Sequence, residues 1–192
     1  MNIYMYDFSG DRYTLAELRP FLGEQRYEYC GRFKAQKAAL RSAYAFMLLR
    51  TALKREHGIV RVPEFVFNEH GKPFLAEYPD IMFSMSHIEN TVICAVAGTP
   101  VGADIQDIRP ISLRAASKFL TGEEYGKVCA IEDETQRNAE ICRLWCIKES
   151  YGKMTGKGFA EGFSSFSADR LTDEKKACCI RRGDFFISAC IK

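Results

Sequence analysis

The amino-acid sequence predicts an α+β fold built from two similar halves, residues 1–100 and 101–192. Each half contains one long stretch that lacks proline and is rich in helix-forming residues. Each half also contains short apolar and β-branched segments, which are typical of a small antiparallel sheet. A tight turn at Gly98-Thr99-Pro100 separates the halves, and neither a low-complexity linker nor a sequence repeat is found. Two α+β halves packed together are therefore the expected architecture.

In the first half, residues 3–6 indicate a strand. Residues 33–54 indicate a long helix, because this stretch lacks both glycine and proline. Basic residues precede Gly58, and cations followed by a glycine are typical of a helix C-terminus. Further strands are predicted at residues 62–68, 81–85 and 91–97, the last two forming a hairpin through residues 87–90.

The second half opens with a predicted strand at residues 101–108. A polar segment at residues 132–137 leads into the longest helix, which runs to residue 154 and is ended by Gly156 and Gly158. The remaining predicted elements are helices at residues 112–120 and 123–129 and β segments at residues 163–167, 177–181 and 185–191.

The composition is that of a soluble globular protein, with 47% apolar and 27% charged residues. A formal net charge of +2 gives little reason to expect a nucleic-acid partner. The N-terminus lacks the pattern of a signal peptide, and no apolar run approaches the roughly 20 residues that span a bilayer. Eight cysteines without a Cys-x-x-Cys motif indicate buried free thiols rather than disulfides or zinc, so we expect a cytoplasmic protein with no membrane partner.

One strand carries two side chains with oxygen ligands on the same face. Asp104 and Gln106 are two residues apart, so they point to one side of the strand at a separation of about 6–7 Å. Oxygen ligands at this separation can converge on one hard cation. The alternative is a half-exposed edge strand with polar residues facing outward.

The longest helix presents a second polar stripe. Trp145, Glu149 and Lys153 lie four residues apart in succession and therefore share one helix face. Glu149 would join Asp104 on a metal, and Lys153 would meet a phosphate. The alternative is a helical ion pair between Glu149 and Lys153. Gly152 inside this helix indicates that another group packs closely there.

Two segments of the first half carry groups that bind anions. Ser86 and His87 end a predicted strand, and Lys72 lies in a stiff Gly-Lys-Pro turn. Arg41 belongs to a run of basic residues along the first long helix, for which a solvated helix face is the alternative.

Four motifs follow one another in the chain: Gly71-Lys72-Pro73, Phe83-Ser84-Met85-Ser86-His87, Val101-Gly102-Ala103-Asp104-Ile105-Gln106, and the helical segment from Trp145 through Lys148, Glu149 and Ser150 to Lys153. In this order and at these spacings, they resemble the larger type of 4′-phosphopantetheinyl transferase, which activates peptide, polyketide and siderophore synthetases. The resemblance covers nearly the whole chain. It implies two α+β halves packed as a pseudo-dimer, with the coenzyme A site in the cleft between them.

The same resemblance implies a reaction. The 4′-phosphopantetheine group of coenzyme A would move to a serine of an apo acyl or peptidyl carrier protein, with Mg²⁺ as cofactor and 3′,5′-ADP as product. Glu149 and Lys153 would be catalytic. The implied metal ligands are Asp104, Gln106 and Glu149, and the implied coenzyme A contacts are Arg26, Arg41, Lys72, Ser86, His87 and Lys153.

Gln106 departs from the family pattern, which usually has a glutamate at this position. Its neutral carbonyl oxygen can ligate the metal or hold a metal-bound water. The loss of one negative charge should weaken Mg²⁺ binding, because Mg²⁺ prefers carboxylate, water and phosphate oxygens. Gln106 is thus an uncertain third ligand beside Asp104 and Glu149.

Two other functions stay open. A non-catalytic homologue that binds coenzyme A or a carrier protein is favoured only by the weakened metal site at Gln106. A nucleic-acid-binding module using the basic residues 32–61 is disfavoured by the small net charge and by the lack of aromatic residues among them on a basic face. We therefore expect a monomeric pseudo-dimer that binds coenzyme A and an apo carrier protein, which would dock near residues 119–140.

Overall fold

Two three-stranded antiparallel sheets, each packed against a 22-residue helix, form the framework of the protein. The computed structural model describes residues 1–158 and 162–192. By its internal contacts the chain divides into two units, Met1–Thr99 and Pro100–Lys192.

The first unit contains five strands and three helices. In chain order they are β1 (Asn2–Asp7), α1 (Leu15–Leu22), α2 (Glu24–Gly31), α3 (Gln36–His57), β2 (Phe65–Phe67), β3 (Pro73–Leu75), β4 (Met82–His87) and β5 (Thr91–Ala97). The main sheet has the order β1-β5-β4, and both pairings are antiparallel. Strand β5 is buried along its whole length, and α3 packs against β5 and β4. Strands β2 and β3 form a separate hairpin.

Local sequence explains the ends of the helices in this unit. Thr14 and Glu17 form a capping box that starts α1, with the Glu17 carboxylate accepting a hydrogen bond from the Thr14 amide at 2.7 Å. Helix α3 ends at Gly58, whose φ of 68° is in the left-handed region that favours glycine. The apolar face of α3, including Phe46 and Leu49, forms much of the core.

Among the described residues of the second unit there are three strands and four α-helices. In chain order they are β6 (Val101–Asp107), α4 (Leu113–Ala116), α5 (Gly122–Cys129), α6 (Glu134–Thr155), a 3-10 turn (Phe163–Ser165), α7 (Ala168–Asp173), β7 (Ala177–Arg182) and β8 (Phe185–Ile191). The sheet order is β6-β8-β7, again entirely antiparallel. Helix α6 packs against all three strands. Asp133 caps its N-terminus by accepting from the Gln136 amide at 2.7 Å, and Gly156 ends it.

The main sheets of the two units share one topology. In each unit the first strand precedes the long helix, a hairpin follows the helix, and the last strand lies at the centre beside the first. The expected α+β class is thus confirmed, with similar folds on either side of the turn at Gly98-Thr99-Pro100.

Several predicted elements differ from the structure. The β segment predicted at residues 163–167 is wrong, because the 3-10 turn Phe163–Ser165 lies there instead. Of residues 112–120 only Leu113–Ala116 is α-helical, and the long helix of the first half begins at Gln36 rather than at residue 33. The strand predicted at residues 62–68 is confined to Phe65–Phe67, and α1, α2, β3 and α7 were not predicted.

All eight cysteines are free, as expected. Five of them are buried, Cys179 is half-buried, and Cys129 and Cys178 are exposed. Within residues 1–158 and 162–192, no helix combines the length and apolar character that crossing a membrane requires.

Candidate active site

The site is built where strand β6 meets helix α6 at unusually short range. A Cβ atom placed on Gly102 would lie 1.9 Å from the carbonyl oxygen of Ser150 and 2.4 Å from the amide nitrogen of Met154. Both neighbours are backbone atoms of α6, so only glycine fits at this position. Because the strand touches the helix here, the side chains two residues further along β6 reach the polar face of α6.

Asp104 and Lys153 form the central contact of the site. The Lys153 Nζ lies 2.6 Å from the Asp104 Oδ1. The Asp104 side chain is only 7% exposed, whereas the Lys153 side chain is 31% exposed. A largely buried carboxylate thus holds a lysine that still faces solvent, where its ammonium can meet an anionic ligand.

Glu149 stands one turn before Lys153 on the same helix face and is half-buried. Burial raises the pKa of the Glu149 carboxyl, the negative charge of Asp104 raises it further, and Lys153 lowers it. The two carboxylates are therefore close enough to repel one another, which a cation bound between them would relieve.

Gln106 is the weak member of the predicted metal set. Its amide nitrogen donates to the backbone oxygen of Asp107 at 3.0 Å. Among residues 1–158 and 162–192, no cluster of three or more His, Cys, Asp or Glu side chains is arranged to hold a metal ion. Asp104 and Glu149 nevertheless fit a hard cation in the chemistry of their oxygens, and Gln106 can contribute only a neutral one.

An apolar cavity of about 650 Å³ lies in the second unit and is lined in part by Trp145 of α6. The rings of Phe119, Trp145 and Phe163 form its aromatic wall, and Arg109 and Lys118 also line it. The Trp145 ring centroid is 4.7 Å from that of Phe119 and 5.7 Å from that of Phe163. Trp145 stands one turn before Glu149 on the same face of α6, so the cavity and the acidic pair share this helix, although neither Asp104 nor Glu149 lines the cavity.

The close packing predicted at Gly152 is confirmed. A Cβ atom there would lie 3.0 Å from Cε1 of the Phe163 ring. Gly152 therefore lets this ring lie directly on α6.

In the first unit, the Arg26 guanidinium contacts a serine of α3 and two aromatic rings. Its Nη2 donates to the Ser42 hydroxyl at 2.7 Å and to the Ser42 carbonyl oxygen at 3.0 Å. The guanidinium also lies 4.7 Å from the ring centroid of Tyr29 and 5.4 Å from that of Phe46. Burial lowers the pKa of Arg26. These contacts give Arg26 a structural role in packing α2 against α3, separate from any role in ligand binding.

The other four predicted coenzyme A residues lie on neighbouring elements of the first unit. Arg41 is on α3, Ser86 and His87 are at the end of β4, and Lys72 immediately precedes β3. Both α3 and β3 contact β4. Ser86 is half-buried and His87 is exposed. Burial lowers the pKa of Lys72 to about 8, because the half-buried ammonium is poorly solvated.

Two important residues of the second unit were not predicted. Lys148 and Glu124 form a buried ion pair beside the cavity, with 2.9 Å between Lys148 Nζ and Glu124 Oε2. Glu124 has a sequence signal, since Thr121-x-x-Glu124 is a capping box at the start of α5. Lys148 has no such sequence signal, because a lysine in a helix is expected to be exposed unless a buried partner is known.

A buried carboxylate, a half-buried carboxylate and a half-exposed lysine thus form a polar site whose groups can hold a hard cation or an anion. A sequence model of the 4′-phosphopantetheinyl transferase superfamily matches residues 100–192. The chain is 34% identical over 148 residues to 4′-phosphopantetheinyl transferase Sfp of Bacillus subtilis, an alignment that covers 77% of this chain and 66% of Sfp. It is 32% identical over 173 residues to 4′-phosphopantetheinyl transferase psf-1 of Bacillus pumilus, covering 89% of this chain and 73% of psf-1.

A third relative is 4′-phosphopantetheinyl transferase HetI of Nostoc, which is 34% identical over 140 residues, an alignment that covers 70% of this chain and 55% of HetI. The alignment with Sfp shows that the chain spans about two thirds of the length of that relative. It belongs to the 4′-phosphopantetheinyl transferase superfamily and is of the type represented by Sfp and psf-1.

Proposed function

We propose that this chain transfers the 4′-phosphopantetheine group of coenzyme A to a serine of an apo acyl or peptidyl carrier protein and releases 3′,5′-ADP. The observation that carries the proposal is the contact between Asp104 and Lys153 beside Glu149, in a chain of this family. The named relatives are phosphopantetheinyl transferases, which supports the same class of reaction here.

In the proposed reaction, the serine oxygen of the carrier protein attacks the phosphorus that bears the pantetheine arm. A new serine–phosphorus bond forms, and the bond from that phosphorus to the oxygen bridging the pyrophosphate breaks. The departing 3′,5′-ADP gains negative charge, which the Lys153 ammonium would neutralise. Phosphoryl transfer depends mainly on positioning and on charge neutralisation of this kind.

The serine proton needs an acceptor, and Glu149 is the candidate. Burial and Asp104 raise the pKa of this carboxyl, which makes it a better base than an ordinary carboxylate. A cation at the site would lower the pKa again. Transfer of the proton through a water held by Glu149 is therefore an equal alternative to direct transfer.

We propose that Mg²⁺ is held by Asp104 and Glu149, with Gln106 as a neutral ligand or as the holder of a bound water. When bound, Mg²⁺ supplies charge neutralisation and orientation for a pyrophosphate. The side chains of the protein would have two further roles. Asp104 would orient Lys153, and Glu149 would accept the serine proton directly or through a water.

We further propose, from the family resemblance, that residues 1–100 and 101–192 pack as a monomeric pseudo-dimer with coenzyme A in the cleft. Arg26, Arg41, Lys72, Ser86 and His87 would then contact the nucleotide phosphates. The carrier protein would dock near residues 119–140.

The decisive test is incubation of the chain with coenzyme A, Mg²⁺ and a panel of apo carrier proteins, followed by intact mass spectrometry. A mass increase equal to one phosphopantetheine group on any carrier protein is expected, and it should be absent for Lys153→Met. A wild-type chain that binds coenzyme A but modifies no carrier protein at any Mg²⁺ concentration would instead support the non-catalytic homologue.

A further inference from the structure

The buried ion pair of Lys148 and Glu124 has no part in the proposed chemistry. The exposed fractions of the two side chains are 0% and 2%. Burying two opposite charges favours a fold only when further hydrogen bonds satisfy the remaining donors and acceptors. The hydrogen-bond partners of Lys148 and Glu124 therefore indicate the role of the pair.

The three donors of the Lys148 ammonium are all used. Besides Glu124, its Nζ donates to the carbonyl oxygen of Phe163 at 2.8 Å and to the carbonyl oxygen of Phe166. It also lies 4.7 Å from the centroid of the Phe166 ring. Both carbonyls belong to residues 162–167, so Lys148 fastens this segment to α6.

Glu124 extends the same network to two more helices. Its Oε1 accepts from the amide of Ala168, the first residue of α7, at 2.7 Å. Its Oε2 accepts from the amide of Thr121 at 2.8 Å, within the capping box of α5. One ion pair thereby joins α5, α6, α7 and the segment that connects α6 to α7.

Phe163 links this network to the candidate active site. Its carbonyl is held by Lys148, and its ring lies against Gly152 and Trp145. Phe163, Gly162 and Ser164 all line the cavity of about 650 Å³. We infer that Lys148 is a positioning residue, which fixes residues 162–167 on α6 and thereby shapes the cavity that Trp145, one turn before Glu149, helps to line. Its consequence for catalysis rests on the proposed function.

The placement can be tested without any assay of transfer, because Trp145 is the single tryptophan of the chain. In Lys148→Met, we expect greater acrylamide quenching of Trp145 fluorescence and at least about tenfold faster hydrogen exchange of the Ala168 amide. The control is Lys37→Met, which removes an exposed lysine of the first unit that pairs with Glu89 at 2.7 Å. It should leave both measurements unchanged.

A second variant separates positioning from stability. Lys148→Met alone leaves a buried carboxylate without its cation and should lower the melting temperature, whereas the double variant Glu124→Gln with Lys148→Met removes both charges and should recover most of that loss. The carbonyls of Phe163 and Phe166 still lack their donor in the double variant. We therefore expect Trp145 to stay easily quenched and kcat/KM for transfer to stay at least about tenfold below the wild-type value. The affinity for 3′,5′-ADP should not change.

A double variant with wild-type quenching and wild-type kcat/KM would overturn the inference and leave the pair a purely structural one. If the wild-type chain modifies no carrier protein, the proposed function fails, but quenching and exchange still decide whether Lys148 shapes the cavity. Wild-type quenching and exchange in both variants would reject the inference whatever the activity.

Discussion

Gly102→Ala is the sharpest structural test of the site, because it adds one methyl group where β6 touches α6. That Cβ would lie 1.9 Å from the Ser150 carbonyl oxygen, whereas ordinary van der Waals contact begins near 3.4 Å. Strand and helix must therefore separate by about 1.5 Å. No side chain can rotate away to relieve the clash, since both nearest atoms belong to the backbone of α6.

The expected cost follows from this geometry. Overpacking a core usually costs about 1–3 kcal/mol, and a clash between backbones should reach at least about 3 kcal/mol. For a chain of this size, each kcal/mol corresponds to about 2–4 °C in Tm, so thermal unfolding should shift down by about 6–12 °C. The same displacement would break the 2.6 Å contact between Asp104 and Lys153, so transfer should fall even in the folded fraction.

Thermal unfolding followed by circular dichroism measures the effect. The matched control is Gly126→Ala, because Gly126 lies in α5 with nothing within 4 Å of an added Cβ. That change should raise stability by about 0.5–1 kcal/mol, since alanine is the better helix former. A Gly102→Ala variant that melts within about 2 °C of the wild type would refute the close packing of β6 on α6.

Three further predictions concern the proposed reaction. Glu149→Gln should abolish transfer while coenzyme A still binds in calorimetry, because the base is lost but the phosphate contacts are kept; unchanged turnover would reject the assignment. Gln106→Glu should lower the Mg²⁺ concentration for half-maximal rate, since it adds a carboxylate; an unaltered Mg²⁺ titration would remove residue 106 from the ligands. The affinity for 3′,5′-ADP should fall as the pH rises through about 8, where the Lys72 ammonium loses its proton, and Lys72→Met should flatten this dependence. An equally steep dependence in Lys72→Met would assign it to another group.

The sequence predicted those parts of the fold whose signals are local. Strand β8 was predicted with its observed bounds, and Gly58 and Gly156 ended the two long helices as expected. Helix α1 was missed although Thr14 and Glu17 offer a capping box, because Pro20 interrupts the helical pattern. Residues 163–167 resembled a strand in their aromatic content, but their backbone groups bond to Lys148 rather than to a neighbouring strand.

The same distinction applies to the site. The face shared by Glu149 and Lys153 follows from helical spacing, so it could be predicted. The partner of Lys153 could not, because its contact with Asp104 spans 49 residues of sequence and depends on how closely β6 approaches α6. The sequence marks Gly102 only as one position of a motif. The need for glycine there follows from the backbone atoms of Ser150 and Met154, which an added Cβ would meet. Long-range contacts of this kind are set by packing, which local patterns do not encode.

The charge balance of the site indicates what a neutral glutamine at position 106 does in place of a glutamate. Asp104, Glu149 and Lys153 together carry a formal charge of −1 when all three are ionised. A glutamate at position 106 would make it −2 and would add repulsion to the Glu149 carboxyl, whose pKa is already raised by burial and, to a smaller extent, by Asp104. Glutamine avoids that repulsion, so it would favour stability of the folded chain without a cation. In the proposed reaction it would also weaken the attraction for Mg²⁺, and a bound pyrophosphate would have to supply more of the charge that holds the ion.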